Sequence, residues 1–197
     1  MNKRQLQALE TKKRILKIAL ELFQEKGFSN VTVDEIIEKS QTSKGAFYNH
    51  FKSKHDIFFE KFQEVDQYYV QKLEPEFHLF NSAEEKLGWF FFKQMEYIEL
   101  NLGWDVIRTI YEHELNVEAE SFFLIPDRPL YQILGKLCDE GKRNGELRTD
   151  LSTVEMVDIF ARTIRGILYD WGINKGAFSL QNEQRFLFDA VIRGLKK

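Results

Sequence analysis

Apolar residues recur at helical spacing along most of this 197-residue chain. In the first such stretch Ile15, Ala19, Leu22 and Phe23 fall at positions i, i+4, i+7 and i+8, so they share one face of a helix. Only three prolines and eleven glycines punctuate the chain, which favours long helices. The pattern predicts an all-α fold without strands and with about nine helices, over residues 5–26, 33–39, 44–50, 54–74, 83–100, 104–116, 130–142, 153–171 and 180–195.

Capping residues mark the ends of the short helices near the N-terminus. Gly27 can end the first helix, because glycine adopts a positive φ at little cost. Thr32 and Glu35 have the spacing of a reciprocal capping box, and Ser43 can cap the next helix after a tight turn. Two short helices joined by such a turn are typical of a helix-turn-helix, whose second helix fits a DNA major groove about 12 Å wide.

Charge is unevenly distributed along the chain. The net charge of -3 argues against nucleic acid when it is taken alone. Residues 1–55, however, hold eleven basic and six acidic side chains, whereas the remainder is acidic. A basic head on an acidic body is expected where one end meets a polyanion, but a chance asymmetry of this size is equally compatible with the counts.

The sequence contains no catalytic or metal-binding signature. The motifs HExxH, GxGxxG and GxSxG and the phosphate-binding loop are all missing from it. The four histidines, at positions 50, 55, 78 and 113, lack the spacing of a zinc site, and a single cysteine cannot complete one. We therefore expect no enzyme activity, no metal and no cofactor.

Localisation is predicted from the N-terminus and the cysteine content. The first fourteen residues are polar and basic, without the apolar stretch of a signal peptide, and no apolar run is long enough to span a bilayer. Cys138 has no second cysteine with which to form an internal disulfide. These features predict a cytoplasmic protein without a membrane segment.

Over residues 11–60 the chain resembles the TetR family of bacterial repressors. The resemblance is carried by residues 19–23 (ALELF), 27–28 (GF), 32–37 (TVDEII), 43–51 (SKGAFYNHF) and 53–54 (SK). Gln41 and Thr42 depart from the pattern, because the family often has Gly-Val in this turn.

The resemblance implies a helix-turn-helix head of three helices over residues 1–53 and a helical ligand-binding and dimerisation domain over residues 54–197. It also implies a homodimeric, sequence-specific transcriptional regulator, a repressor that a small hydrophobic or aromatic ligand releases from a palindromic operator. The alternative is a DNA-binding regulator without a small-molecule inducer, controlled by a protein partner or acting as an activator.

The same resemblance assigns roles in DNA binding residue by residue. Lys44, Gly45 and Ala46 begin the recognition helix, while Tyr48 and Lys54 match residues that contact phosphate. Taken alone, either lysine could equally be an ordinary solvated side chain. The residues expected to lie at the DNA are Thr32, Val33, Ser43, Lys44, Gly45, Ala46, Tyr48, Asn49, His50 and Lys54.

In the body, apolar and aromatic residues of the middle helices form a pool from which a ligand pocket can be built. Most members of such a pool are ordinary core, and Arg108 and His113 fit surface salt bridges as well as an anionic ligand. The predicted ligand residues are Phe62, Tyr69, Trp89, Phe92, Met95, Trp104, Ile107, Arg108, Tyr111, Phe123 and Cys138.

The last two predicted helices carry wide apolar stripes, which the resemblance places in a four-helix dimer interface. An intramolecular core explains the same stripes. The predicted interface residues are Val157, Phe160, Ile164, Leu168, Trp171, Phe186, Leu187 and Val191. Dimerisation is favoured because one short recognition helix reads too few bases to define a site in a genome.

Overall fold

The computed structural model of the chain describes residues 2–115, 121–183 and 185–197, without the side chains of residues 113 and 183. Its helices are α1 Lys3–Lys26, α2 Val33–Lys39, α3 Lys44–His50, α4 Asp56–Tyr68, α5 Ala83–Asn101, α6 Trp104–Glu114, α7 Pro129–Arg143, α8 Thr153–Ile173, α9 Leu180–Glu183 and α10 Arg185–Leu195. Helix forms in all nine predicted segments, the last of which contains α9 and α10. The predicted end near Asn116 lies outside the described residues. Within the described ranges the extended structure is a single antiparallel bridge between Leu147 and Lys196, and the all-α prediction is confirmed.

Two helix boundaries differ from the prediction for local reasons. Helix α1 begins early because Asn2 forms a reciprocal capping box with Gln5. The fourth helix is predicted to end before Pro75. In the structure α4 ends at Tyr68, and the chain then forms a π-helical turn, Tyr69–Leu73, and a 3₁₀ turn, Glu74–Leu79. Pro75 occupies the first turn of that 3₁₀ segment, where its missing N–H leaves no hydrogen bond unmade.

The chain divides into two compact units, residues 1–62 and 63–197, and α4 contributes to both. The domain boundary predicted between residues 53 and 54 precedes α4, whereas this division falls inside it. In the first unit, α1, α2 and α3 pack against one another. Their core is made of buried apolar side chains, among them Ile15, Ala19, Phe23, Val31, Ile36, Phe47 and Phe51.

The second unit is a helical body in which α8 packs against α6 and α7, and α5 against α7, α9 and α10. Its core is aromatic. The Phe91 ring stacks on Phe188 with centroids 4.2 Å apart and contacts Phe160 at 5.1 Å. The described helices do not combine the length and apolar character that a membrane span requires.

Candidate DNA interface and ligand cavities

The recognition helix α3 is anchored by one face and exposed on the other. The Ser43 hydroxyl accepts the Ala46 backbone N–H at 3.1 Å, so the predicted cap forms. Phe47 is fully buried, whereas Lys44, Gly45 and Asn49 are exposed and Ala46 is half-buried. The first turn of α3 therefore presents small and polar side chains to solvent, as a groove-binding helix requires.

Lys44 begins this exposed face and carries its positive charge. Its Nζ lies 3.3 Å from the Asp34 carboxylate of α2, and both side chains are largely exposed. An ion pair in that setting contributes little to stability. A phosphate or a base edge can therefore replace the carboxylate at small cost.

Two aromatic residues of α3 lie between core and solvent. Tyr48 is 49% exposed, and its ring meets the buried Phe47 edge-on at 5.3 Å. His50 is half-buried against Phe51. Each ring is thereby held in place by the core, while the Tyr48 hydroxyl has access to a partner outside the chain.

The capping box predicted at α2 forms only in part. The Thr32 hydroxyl accepts the Glu35 N–H at 3.2 Å, and Val33 is half-buried behind it. The reciprocal bond is missing because the Glu35 carboxylate pairs with the Lys26 ammonium at the end of α1, which raises the pKa of Lys26. The ion pair connects α1 to α2, a contact that the capping pattern does not indicate.

The turn between α2 and α3 contains Gln41 at φ 51°, a left-handed conformation that a side chain other than glycine adopts at a cost of roughly 1–2 kcal/mol. This is the position where the resembling family often has glycine. A bond of 2.9 Å between the Ser40 and Thr42 hydroxyls and a bond from the Thr42 N–H to the Ile37 carbonyl hold the turn closed. The departure from the pattern thus leaves the turn intact.

Lys54 does not point into solvent. Its Nζ donates to the carbonyl oxygens of Phe28 and Val31, each at 2.8 Å, and lies 4.2 Å from the centre of the Phe28 ring. Partial burial lowers the pKa of this ammonium. In this structure Lys54 therefore braces the turn before α2, and its predicted phosphate contact stays a prediction.

In the body, the predicted ligand residues separate into cavity-lining and buried groups. Trp89, Phe92 and Met95 line a cavity of about 450 Å³ between α5 and α9–α10. Arg108 and Tyr111 line one of about 310 Å³ between α6 and α8.

A third cavity, of about 570 Å³ between α7 and α8, is lined in part by Phe123. The Tyr111 and Phe123 rings contact each other at 5.2 Å, so this cavity neighbours the one between α6 and α8.

Other members of the predicted pool are core residues. Tyr69, Ile107 and Cys138 are almost fully buried, and they line none of the three cavities above. Burial raises the pKa of the Cys138 thiol to about 12, which keeps it protonated and unreactive at neutral pH.

Phe62 and Trp104 also have packing roles. Phe62 is buried and is grouped with the head unit. Trp104 packs on Gly176. A Cβ at position 176 would lie only 2.6 Å from Trp104 Cδ1, and the positive φ of 70° at this position also favours glycine. The side chain of His113 lies outside the described part of the chain.

Two buried polar contacts of the body were not expected from the sequence. Arg128 makes a bidentate ion pair with Asp66, with Nε–Oδ2 and Nη2–Oδ1 distances of 3.0 and 3.1 Å. The Gln94 amide donates to the Tyr69 hydroxyl at 2.8 Å inside the core. The partners are 62 and 25 residues apart in sequence, so no local pattern could have paired them.

The predicted dimer residues fall into two groups. Phe160, Ile164, Leu168 and Trp171 are at most 3% exposed in the single chain, so they form its core and no external surface. Phe186 is 71% exposed, Leu187 and Val191 are half-buried, and Val157 lines the α7–α8 cavity. Of the predicted dimer residues, those of α10 (Phe186, Leu187 and Val191) are therefore accessible to a partner.

Comparison with known proteins places the head in a family. Residues 15–60 match the family described as bacterial regulatory proteins, tetR family. The chain is similar to the transcriptional regulator QacR of Staphylococcus aureus, with 28% identity over 203 residues covering 96% of this chain and 100% of QacR. It is also similar to the fatty acid metabolism regulator protein of Bacillus subtilis, with 20% identity over 92% of this chain and 94% of that protein.

The whole fold has counterparts among solved structures. The transcriptional regulator FadR from Bacillus subtilis, in complex with stearoyl-CoA, superposes with a TM-score of 0.73 at 21% identity, covering 92% of this chain and 95% of that one. The chain thus shares its fold, a helix-turn-helix head followed by a helical C-terminal domain, with that structure. The head of the chain, residues 15–60, therefore matches the TetR family of bacterial regulatory proteins, and the chain as a whole is similar to the transcriptional regulator QacR.

Proposed function

We propose that this protein is a repressor that binds a palindromic operator as a homodimer and leaves it when a small hydrophobic ligand enters the body. The observation that carries the DNA-binding part is the exposed face of α3, where Lys44 and Gly45 in the first turn and Asn49 in the second face solvent while Phe47 is buried. Tyr48 extends that face, and the lysine can exchange Asp34 for DNA. This function places its action in the bacterial cytoplasm and requires no catalysis.

The homodimer is supported by an unpartnered surface on α8 and α10. Tyr169, Ile173 and Phe186 are exposed apolar side chains on these two helices. Gly166 and Gly194 are exposed as well, and a Cβ built on either meets nothing within 4 Å. A second copy of the chain can approach both helices closely at these glycines and cover the apolar residues.

The ligand is proposed to be amphipathic, with an apolar chain and an anionic head. The α7–α8 cavity has an apolar wall of Phe123, Leu124, Val154 and Val157, and Arg165 lies among its lining residues. The Arg165 guanidinium makes only a long bond of 3.4 Å to the Phe123 carbonyl among the contacts of the described residues, so it retains donors for an anion.

FadR, which shares the fold, was solved with stearoyl-CoA. Long-chain acyl thioesters of coenzyme A are therefore the ligand class we propose. An acyl chain suits the apolar wall, and the phosphates suit the arginine.

Release from DNA tests this function. The full-length protein is bound to a fluorescent DNA fragment from the region flanking its gene, and palmitoyl-CoA or free coenzyme A is titrated while anisotropy is read. Palmitoyl-CoA is expected to release the DNA and coenzyme A alone is not, because the acyl chain supplies the apolar contact. Arg165→Met is expected to raise the half-maximal palmitoyl-CoA concentration about tenfold through loss of a charge-assisted contact.

Arg143→Met, at an exposed arginine at the end of α7 that lines none of the three cavities, is the matched control and should respond as the wild type does. DNA that stays bound at saturating palmitoyl-CoA would contradict the proposed ligand class. Equal responses of the two arginine variants would remove the α7–α8 cavity as its site.

A further inference from the structure

The cavity of about 450 Å³ between α5 and α9–α10 has a chemistry different from that of the α7–α8 cavity. It falls within the size range of small-molecule sites, roughly 300–1,000 Å³. One wall comes from α5 and the residue Phe80 that precedes it, and the other from α9 and α10. All of these segments belong to the body unit.

Its walls are predominantly aromatic. Phe80, Trp89, Phe92 and Phe188 all line it, and the Phe80 and Trp89 rings contact each other at 5.2 Å. Phe188 is fixed from behind by its stacking on Phe91. Trp89 and Phe80 are half-buried, so part of each ring surface is accessible from the cavity. Aromatic faces carry partial negative charge, and tryptophan attracts cations most strongly.

The charges at this cavity favour a cation. Glu85 of α5 and Asp189 of α10 line it, together with one guanidinium, that of Arg185. Among the described side chains no ammonium or guanidinium lies within 4 Å of either carboxylate. Glu85 uses Oε2 to accept the Asn81 N–H at 2.9 Å, which leaves its other oxygen available. Two carboxylates against one exposed guanidinium give the site a net negative charge.

We propose that this cavity is a second small-molecule site, and that its ligand is a lipophilic organic cation held by the aromatic walls and by Glu85 and Asp189. The site is separate from the proposed acyl-CoA cavity and does not depend on it. A neutral apolar molecule would gain the aromatic contacts but not the ion pairs, and an anion would be repelled by the carboxylates.

Two ions of the same shape and opposite charge test this proposal. Tetraphenylphosphonium and tetraphenylborate are titrated into the full-length protein without DNA, and binding is followed by isothermal titration calorimetry. The phosphonium is expected to bind at least about tenfold more tightly than the borate, because the shape is shared and only the charge differs. Glu85→Gln and Asp189→Asn are each expected to weaken phosphonium binding about tenfold while leaving borate binding no weaker.

Glu112→Gln, which removes a carboxylate from the separate α6–α8 cavity, is the matched control and should bind phosphonium as the wild type does. The Glu85 side chain is exposed, so Glu85→Gln remains informative if Asp189→Asn fails to fold. Equal affinity for the two ions, phosphonium binding that neither variant weakens, or no binding at millimolar phosphonium would each overturn the proposal. Since no DNA is present, these outcomes are independent of operator release.

Discussion

The Asp66→Asn variant is expected to lose about 3–5 kcal/mol of unfolding free energy, the usual effect of removing one partner from a buried ion pair. In the wild type the Asp66 and Arg128 side chains are 7% and 6% exposed and are joined by two parallel hydrogen bonds. Replacing the carboxylate by an amide leaves the guanidinium buried without its counter-charge. Stacking of the guanidinium on the Phe122 ring, 4.0 Å from its centroid, replaces only part of that interaction.

Urea unfolding at one fixed protein concentration measures this loss, with tryptophan fluorescence as the signal. The three tryptophans, at positions 89, 104 and 171, all lie in the body unit, so the signal reports that unit alone. Asp150→Asn is the matched control. It breaks another bidentate Arg–Asp pair, that of Arg148, but at the surface, and it should leave the unfolding midpoint unchanged.

A double replacement, Asp66→Leu with Arg128→Met, is expected to recover most of the lost stability, because apolar side chains can substitute for a buried ion pair. An Asp66→Asn protein that unfolds at the wild-type urea concentration would show that this ion pair does not stabilise the body.

The second large effect is expected for Lys54→Met, which retains the apolar stem and removes the ammonium. The carbonyl oxygens of Phe28 and Val31 lose a donor, at a cost of about 1–3 kcal/mol to the head. Amides of residues 28–36 should then exchange with deuterium about tenfold faster or more, since 1.4 kcal/mol corresponds to a factor of ten. DNA affinity should fall for every sequence because α2 is no longer held in position.

Lys44→Met is the matched control, since it removes the same charge from the exposed side of the head. It should leave exchange unchanged, weaken DNA binding and reduce the slope of log K against log salt by about one. If Lys54 instead contacts phosphate, Lys54→Met will reduce the salt slope in the same way and leave exchange over residues 28–36 at the wild-type rate. That result would contradict the bracing role.

Periodicity and capping residues predicted the helices of the head, because both signals are local. Ser43 caps α3 as its position indicated, and the apolar face of α1 forms the core of the head. The role of Lys54 could not be predicted in this way. A lysine beside a helix start has the same sequence signature whether it faces DNA or the carbonyl oxygens of a turn 23 to 26 residues away.

The body was less predictable because an apolar stripe does not indicate what covers it. In α8 the stripe containing Phe160 and Trp171 packs within the chain, whereas Tyr169 and Ile173 on the same helix remain exposed. Asp66 and Arg128 likewise meet only after folding. The aromatic pool was identified from the sequence, but its division among three cavities depends on how α5, α6 and α8 pack.

Selection of bound DNA tests most directly whether α3 reads a palindromic operator as part of a dimer. The full-length protein is mixed with a randomised duplex library at physiological salt, and the bound fraction is recovered and sequenced over several rounds. We expect enrichment of an inverted repeat with half-site centres about 34–36 Å apart, or a longer spacing if the recognition helices are splayed. Lys44→Ala is expected to shift the preferred bases within each half-site. A bound pool without an enriched inverted repeat would contradict the account.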